Sequence, residues 1–166
     1  MDDATLATGE ALPRIRLERL LRRPPAEVWR ALTDREELSS WFPCDILTAE
    51  WKVGSSLRFV FPEGESDDLT GTVIECDEPN TLAFTWGDET LRFELAAFDG
   101  GTRLVLTDEL AVAWAARNAA GWDVCLEHLE GRTTAPSLWS SRFTRYVDAF
   151  VPVLGPQEGP PAPPQR

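Results

Sequence analysis

The sequence predicts an α+β domain: a curved, seven-stranded antiparallel sheet wrapped around a long C-terminal helix, with two short helices after the first strand. Three observations predict it. Two short helix signatures abut in residues 23–43, directly after a strand-like segment. From residue 46 to residue 110, alternating apolar and polar runs are separated by turn residues at fairly regular intervals. Residues 111–131 then carry one apolar arc at helical spacing, which is the cover that a sheet with one apolar face requires.

The elements follow in order. Residues 1–12 are small, polar and acidic and read as a flexible tail. Ile15 and Leu17 alternate with Arg14, Arg16 and Glu18, the period of a half-buried strand. Pro24-Pro25 stops it and starts a helix, because proline fits the first turn, where its missing N–H is not needed. Val28, Trp29 and Leu32 give that helix an apolar face. Asp34, three residues before Glu37, resembles a capping box for a second helix, whose buried side is Leu38, Trp41 and Phe42 and which Pro43 ends. Helices this short are marginal alone and need a surface to pack on.

Strands are expected at residues 46–51, 57–61, 69–76, 81–86, 90–98 and 102–109, with Asp99-Gly100 the strongest hairpin mark. Leu57, Phe59 and Phe61 share one face, as do Leu82, Phe84 and Trp86, and Leu91, Phe93 and Leu95. Arg58, Thr85, Arg92 and Glu94 lie on the other. In residues 111–131, Trp114, Asn118, Gly121, Trp122, Cys125, Leu126 and Leu129 fall on one arc, with Asp123, Glu127 and Glu130 opposite as a polar back. The domain is bounded at residues 13–132. Residues 133–152 read as an additional short helical segment, and residues 153–166 as a disordered Pro-rich tail.

Length and charge bound the function. A chain of 166 residues forms one domain, which buries about 70% of its unfolded surface and needs no staple. A net charge of -12 disfavours nucleic acid and anionic lipid as partners. No apolar run reaches the length of a membrane span. Three cysteines without close pairing suggest no disulfide framework, and no signal peptide is visible, so a cytoplasmic setting is expected.

Phe59, Phe61, Phe84, Trp86 and Phe93 form an aromatic face that is either solid core or the wall of a cavity. Trp114 and Cys125 extend it from the helix. Asn118 stands at the centre of the arc facing the sheet, where an amide needs partners. Gly121 leaves room for a ligand or permits close helix–sheet packing. His128 lies at the arc's edge, three residues after Cys125, so the two side chains can meet. That pair reads as an activated thiol, as two metal ligands, or as a histidine beside a buried structural cysteine. There is no second histidine, and Cys44 and Cys76 lack ligand spacing. No catalytic residue, metal or cofactor is assigned. Asp108 and Glu109 read as a solvated strand end, with the lining of a pocket mouth as the alternative.

Residues 13–131 resemble the START/Bet v 1-like superfamily, in the branch similar to the C-terminal domain of the activator of Hsp90 ATPase. The resemblance rests on Pro25-Ala-Glu-Val-Trp-Arg-Ala-Leu-Thr-Asp34, Leu38-Ser-Ser-Trp-Phe42, Val53-Gly-Ser-Ser-Leu-Arg-Phe59, Gly71-Thr-Val-Ile-Glu75, Leu82-Ala-Phe-Thr-Trp86, Gly101-Thr-Arg-Leu-Val-Leu106 and Gly121-Trp122. It implies a helix-grip fold with a cavity between sheet and helix. It also implies a function among binding of hydrophobic small molecules, polyketide-type chemistry and co-chaperone work, with no fixed catalytic set. The expectation is binding of a hydrophobic small molecule, with Phe59, Phe61, Phe84, Trp86, Phe93, Trp114 and Cys125 as walls and Asn118 and His128 orienting a polar group. The alternatives are a cyclase-like or hydrolytic enzyme using His128, and a protein-interaction module whose partner the sequence does not name. The segment after residue 133 is expected either to cap the cavity or to build a homodimer.

Overall fold

A computed structural model describes residues 3–8, 12–133 and 135–159. The chain runs β1 (Thr5–Ala7), β2 (Arg14–Leu21), α1 (Pro25–Thr33), α2 (Arg35–Ser39), β3 (Asp45–Leu47), β4 (Ser56–Val60), β5 (Leu69–Asp77), β6 (Thr81–Trp86), β7 (Glu89–Phe98) and β8 (Gly101–Glu109). A 3-10 turn (Val112–Trp114) then leads into α3 (Ala115–Leu129), and α4 (Pro136–Leu154) follows. The strands form one antiparallel sheet in the order β1-β2-β8-β7-β6-β5-β4-β3. The sheet therefore has eight strands rather than seven. The added strand, β1, lies in the segment expected as a loose tail. Three residues are too few to display a period-two pattern, yet they pair with the free edge of β2, Leu6 opposite Ile15.

Local chemistry explains the entry to the sheet. Pro25 opens α1, and the Asp34 carboxylate accepts the Glu37 N–H at 3.1 Å to cap α2. Only half of the capping box forms, because the Glu37 carboxylate turns instead to Arg30 Nε at 2.6 Å. Trp41 is buried and donates its indole N–H to Ala31 O at 2.8 Å, which ties the two helices together. The strand expected over residues 46–51 ends at Leu47, and Trp51 donates to Thr33 O at 2.8 Å.

The sheet bends over its core. A register shift between Val73 and Glu75 bulges β5. Gly71 allows β5 and β6 to cross closely, since a Cβ there would lie 1.9 Å from Thr85 O and 2.9 Å from the Phe59 ring. Asp99 and Gly100 both take positive φ, 48° and 76°, and close the β7–β8 hairpin as their sequence requires. Along the inner face, Phe59 stacks on Phe84 at 5.9 Å and Phe84 on Phe93 at 6.1 Å, while Trp41 meets Phe93 edge-on and Phe42 lies tilted against Phe84.

The back of α3 departs from the expected solvent face. Asp123 and Glu127 are buried, because α4 is a helix of 19 residues that lies against α3. Arg19, an inward-facing residue of β2, donates to Asp123 Oδ1 at 2.5 Å. Tyr146 of α4 donates its hydroxyl to Asp123 Oδ2 and accepts the Ala4 N–H at 2.9 Å. Arg142 of α4 meets Glu127. Side chains of β2 and α4 thus converge on one buried carboxylate of α3, and the residue before β1 is bonded to the same tyrosine. Beyond α4 the chain folds back, with Gln157 Oε1 accepting the Ala116 N–H at 3.0 Å. Among the described residues no helix is long and apolar enough to cross a membrane.

Candidate functional site

The inner face of the sheet does not stay apolar to its end. Period two continues Leu104, Leu106 into Asp108, and it runs back from Leu95, Phe93, Leu91 to Glu89. The register sets Trp86 opposite Glu89 and Leu91 opposite Asp108, so the two acids are diagonal neighbours on one face. Asn118, Gly121, Trp122 and Cys125 of α3, spaced i, i+3, i+4 and i+7, come down on this end of the sheet.

Here the interface between sheet and helix opens into a cleft with two lobes that share Pro43, Phe61, Trp86, Arg117 and Asn118. The smaller lobe, about 210 Å³, adds Gly121, Trp122, Cys125 and Trp139 of α4. The larger, about 330 Å³, adds Glu89, Trp114, Glu65 and Ser66 of the β4–β5 connection and Leu69 of β5. Wider grooves of about 480 and 520 Å³ lie on the outside of α1 and beside the C-terminal end of α3. The first is lined by no residue of α3, and the second, between the ends of β2 and α3, is lined by no aromatic ring, so the ring-lined cleft is the better candidate.

At the floor, the Asn118 amide donates to both Glu89 oxygens at 2.9 Å and to Asp108 Oδ2 at 3.1 Å. Trp122 Nε1 donates to the same Asp108 oxygen at 2.9 Å. Asp108 is fully buried, and its Oδ1 receives no N–H donor. Burial and the neighbouring Asp108 charge push the Glu89 carboxyl well above the carboxylate range. Burial also raises Asp108, with the bonds from Trp122, Asn118 and Glu89 restraining the rise. The two carboxyls are within hydrogen-bonding reach, and the cheapest neutral-pH arrangement is one shared proton, with Glu89 as the acid and Asp108 as the carboxylate. The Trp86 indole N–H is buried beside them without an acceptor. Arg117 lies over the Trp114 ring at 5.0 Å. Burial pushes the Cys125 thiol up to about 12, so it stays neutral and unreactive.

The expected residues divide accordingly. Phe61, Trp86, Trp114, Asn118, Gly121 and Cys125 line the cleft. Phe59, Phe84 and Phe93 stack in solid core away from it. His128 is exposed and lines neither lobe, so α3 turns Cys125 inward without bringing the imidazole to the cleft. Glu89 and Trp122 escaped the sequence reading as polar site groups, and Asp108, weighed there as a pocket-mouth residue, is fully buried, the reverse of the solvated strand end expected. The signal was present: the period-two frame of β7 and β8 points both acids inward. Among the described residues, no cluster of three or more His, Cys, Asp or Glu side chains could hold a metal ion.

The family model described as Activator of Hsp90 ATPase homolog 1-like protein matches residues 22–133, and the chain belongs to that family. No curated protein matches the chain. Among solved structures, a conserved protein of unknown function from Enterococcus faecalis is 23% identical and superposes with a TM-score of 0.76, covering 90% of this chain and 91% of that one. CalU16 from Micromonospora echinospora is 21% identical, with a TM-score of 0.70 over 91% and 95% of the two chains. The Aha1 dimer from Colwellia psychrerythraea is 22% identical, with a TM-score of 0.60 over 70% and 92%. At these identities the likeness shows the fold, which is consistent with the helix grip.

Proposed function

We propose that this member of the family binds a small, flat, apolar molecule in the cleft between α3 and the ends of β6, β7 and β8. One observation carries the reading. The inner face of the sheet is filled where Phe59, Phe84 and Phe93 stack, yet the space toward α3 is open where Phe61, Trp86, Trp114 and Trp139 line it. Pockets of this kind are apolar with a few placed polar groups, and here those groups are Asn118 and Glu89. Burying roughly 250 Å² of apolar ligand surface gains about 6 kcal/mol before association costs, so micromolar affinity or weaker is the expected range. Because α4 contributes Trp139 to the wall, the capping role for that helix is favoured over a dimer contact. The exposed position of His128 lends no support to a hydrolytic mechanism built on it.

The test is titration with 1-anilinonaphthalene-8-sulfonate and with uncharged naphthalene derivatives, followed through the tryptophans of the cleft. Saturable quenching is expected, and Gly121→Leu, which fills the smaller lobe, should abolish it. Quenching that never saturates, or that survives Gly121→Leu unchanged, rules this cleft out.

A further inference from the structure

The buried acids of this chain fall into two kinds. At the back of α3, Asp123 has Arg19 and Glu127 has Arg142. At the front, Glu89 and Asp108 form no ion pair among the described residues and are held by the neutral donors Asn118 and Trp122. The charged groups facing this pair are few. Arg117 of α3 is the cation nearest Glu89, and its guanidinium lies on the face of Trp114. Glu65 of the β4–β5 connection adds a further negative charge to the larger lobe. The fully buried Asp108 still has an oxygen, Oδ1, without a hydrogen-bond partner. Around the pair stand Phe61, Trp86, Trp114, Trp122 and Trp139, and ring faces attract cations.

Resting on the reading of this cleft as a ligand site, we propose that it takes a lipophilic organic cation, a quaternary or protonated amine, whose charge sits against Glu89, with Asp108 buried behind it, while its apolar body lies among the rings. The ligand supplies the counter-charge that arginine supplies behind α3. As the cation enters, Glu89 gives up the shared proton to solvent. The site carries a single net negative charge before and after, because one positive charge replaces another.

Three probes with a common ring system test this on the full chain by isothermal titration: (1-naphthylmethyl)trimethylammonium, 1-(methoxymethyl)naphthalene and 1-naphthylacetate. Each is titrated in two buffers of different ionisation enthalpy. The cation should bind about tenfold tighter than the ether or better, and the acetate should bind weakest. Cation binding alone should release close to one proton, read from the difference between buffers. Glu89→Gln should shrink the preference for the cation over the ether to about threefold and abolish proton release. An ether that binds as tightly as the cation without proton release overturns the proposal and leaves the cleft as an apolar site. Tightest binding by the acetate, drawn by Arg117, overturns it as well. If none of the three binds, the cleft reading falls with it. Should Glu89→Gln fail to unfold cooperatively, the two-buffer measurement on the unaltered protein decides alone.

Discussion

Behind α3, Asp123 and Glu127 each meet an arginine; in front of it, Glu89 and Asp108 meet only an amide and an indole. The same helix buries acids on both faces and treats them in opposite ways. The rear arrangement gives each acid its own cation and adds a hydroxyl from Tyr146 to Asp123, although Arg142 Nη1 is buried without a hydrogen-bond partner. The front arrangement is open, with a proton where a cation would serve better and an unused Trp86 N–H beside it. Burying a carboxylate without a cation is costly. The difference therefore marks the rear as a lock on the fold and the front as a place kept for something else.

The sharpest way to break this contrast is at the lock. Asp123→Ala leaves Arg19, only 4% exposed, without its counter-ion, and should cost about 3–5 kcal/mol in urea denaturation. Replacing both partners, Arg19→Met with Asp123→Leu, should recover most of that loss, because two well-packed apolar groups leave no orphaned charge. A single substitution costing under about 1 kcal/mol would mean that the rear pair is not a lock.

At the front the sign reverses. The native state keeps protons on Glu89 and Asp108 that the unfolded chain has already released, so stability falls as pH rises above the ordinary carboxylate range. Glu89→Gln mimics the protonated acid. Its melting temperature should depend less on pH between roughly pH 5 and 9, and at the alkaline end the variant should exceed the parent by about 1 kcal/mol or more. A parent protein that grows more stable over this range would contradict the shared proton.

Gly121 offers a smaller effect on the same face. A Cβ there would meet nothing nearer than Trp139 Nε1 at 4.0 Å, so Gly121→Ala should stabilise α3 by up to about 1 kcal/mol while lowering affinity for cleft probes. Stabilisation with unchanged probe affinity would separate Gly121 from the binding surface. Least of all should come from Arg103→Ala on the outer face of the sheet. Arg103 and Arg16 hold the Glu18 carboxyl down at about 2, a contribution present above the ordinary carboxylate range and lost as pH falls toward that value. Because this cluster is in contact with water, the change should move the melting temperature by no more than about 2 °C. The Glu18 carboxyl, followed by NMR, should rise toward its usual range. A large destabilisation would show that charge pairing by itself, without burial, is what sets the rear lock apart.

Much of the fold was legible because its signals are local. Pro25 and Asp34 start their helices through groups within one turn, Asp99-Gly100 closes its hairpin, and the alternation in β4, β6 and β7 names the inner face. β1 was not legible, since three residues carry no period and the strand exists only because the edge of β2 lies beside it. The cleft was legible in part. Asn118, Gly121 and Cys125 stood out on the helical arc, and Phe61, Trp86 and Trp114 stood out as rings. His128 stood out equally and proves exposed, because a residue at the edge of an arc can turn either way and only packing decides.

The sequence by itself determined the order of elements, the apolar face of the sheet and the helix that covers it, because hydrophobic periodicity and turn chemistry act over a few residues. Only the tertiary structure decided which charges lie inside. Asp123 looked solvated until α4 covered it, and Asp108 looked like a strand end until α3 brought Asn118 and Trp122 to it. The fate of a carboxylate depends on partners far along the chain, Arg19 for one and Trp122 for the other. Whether such a partner is a cation or a neutral donor is the difference between a lock and a site.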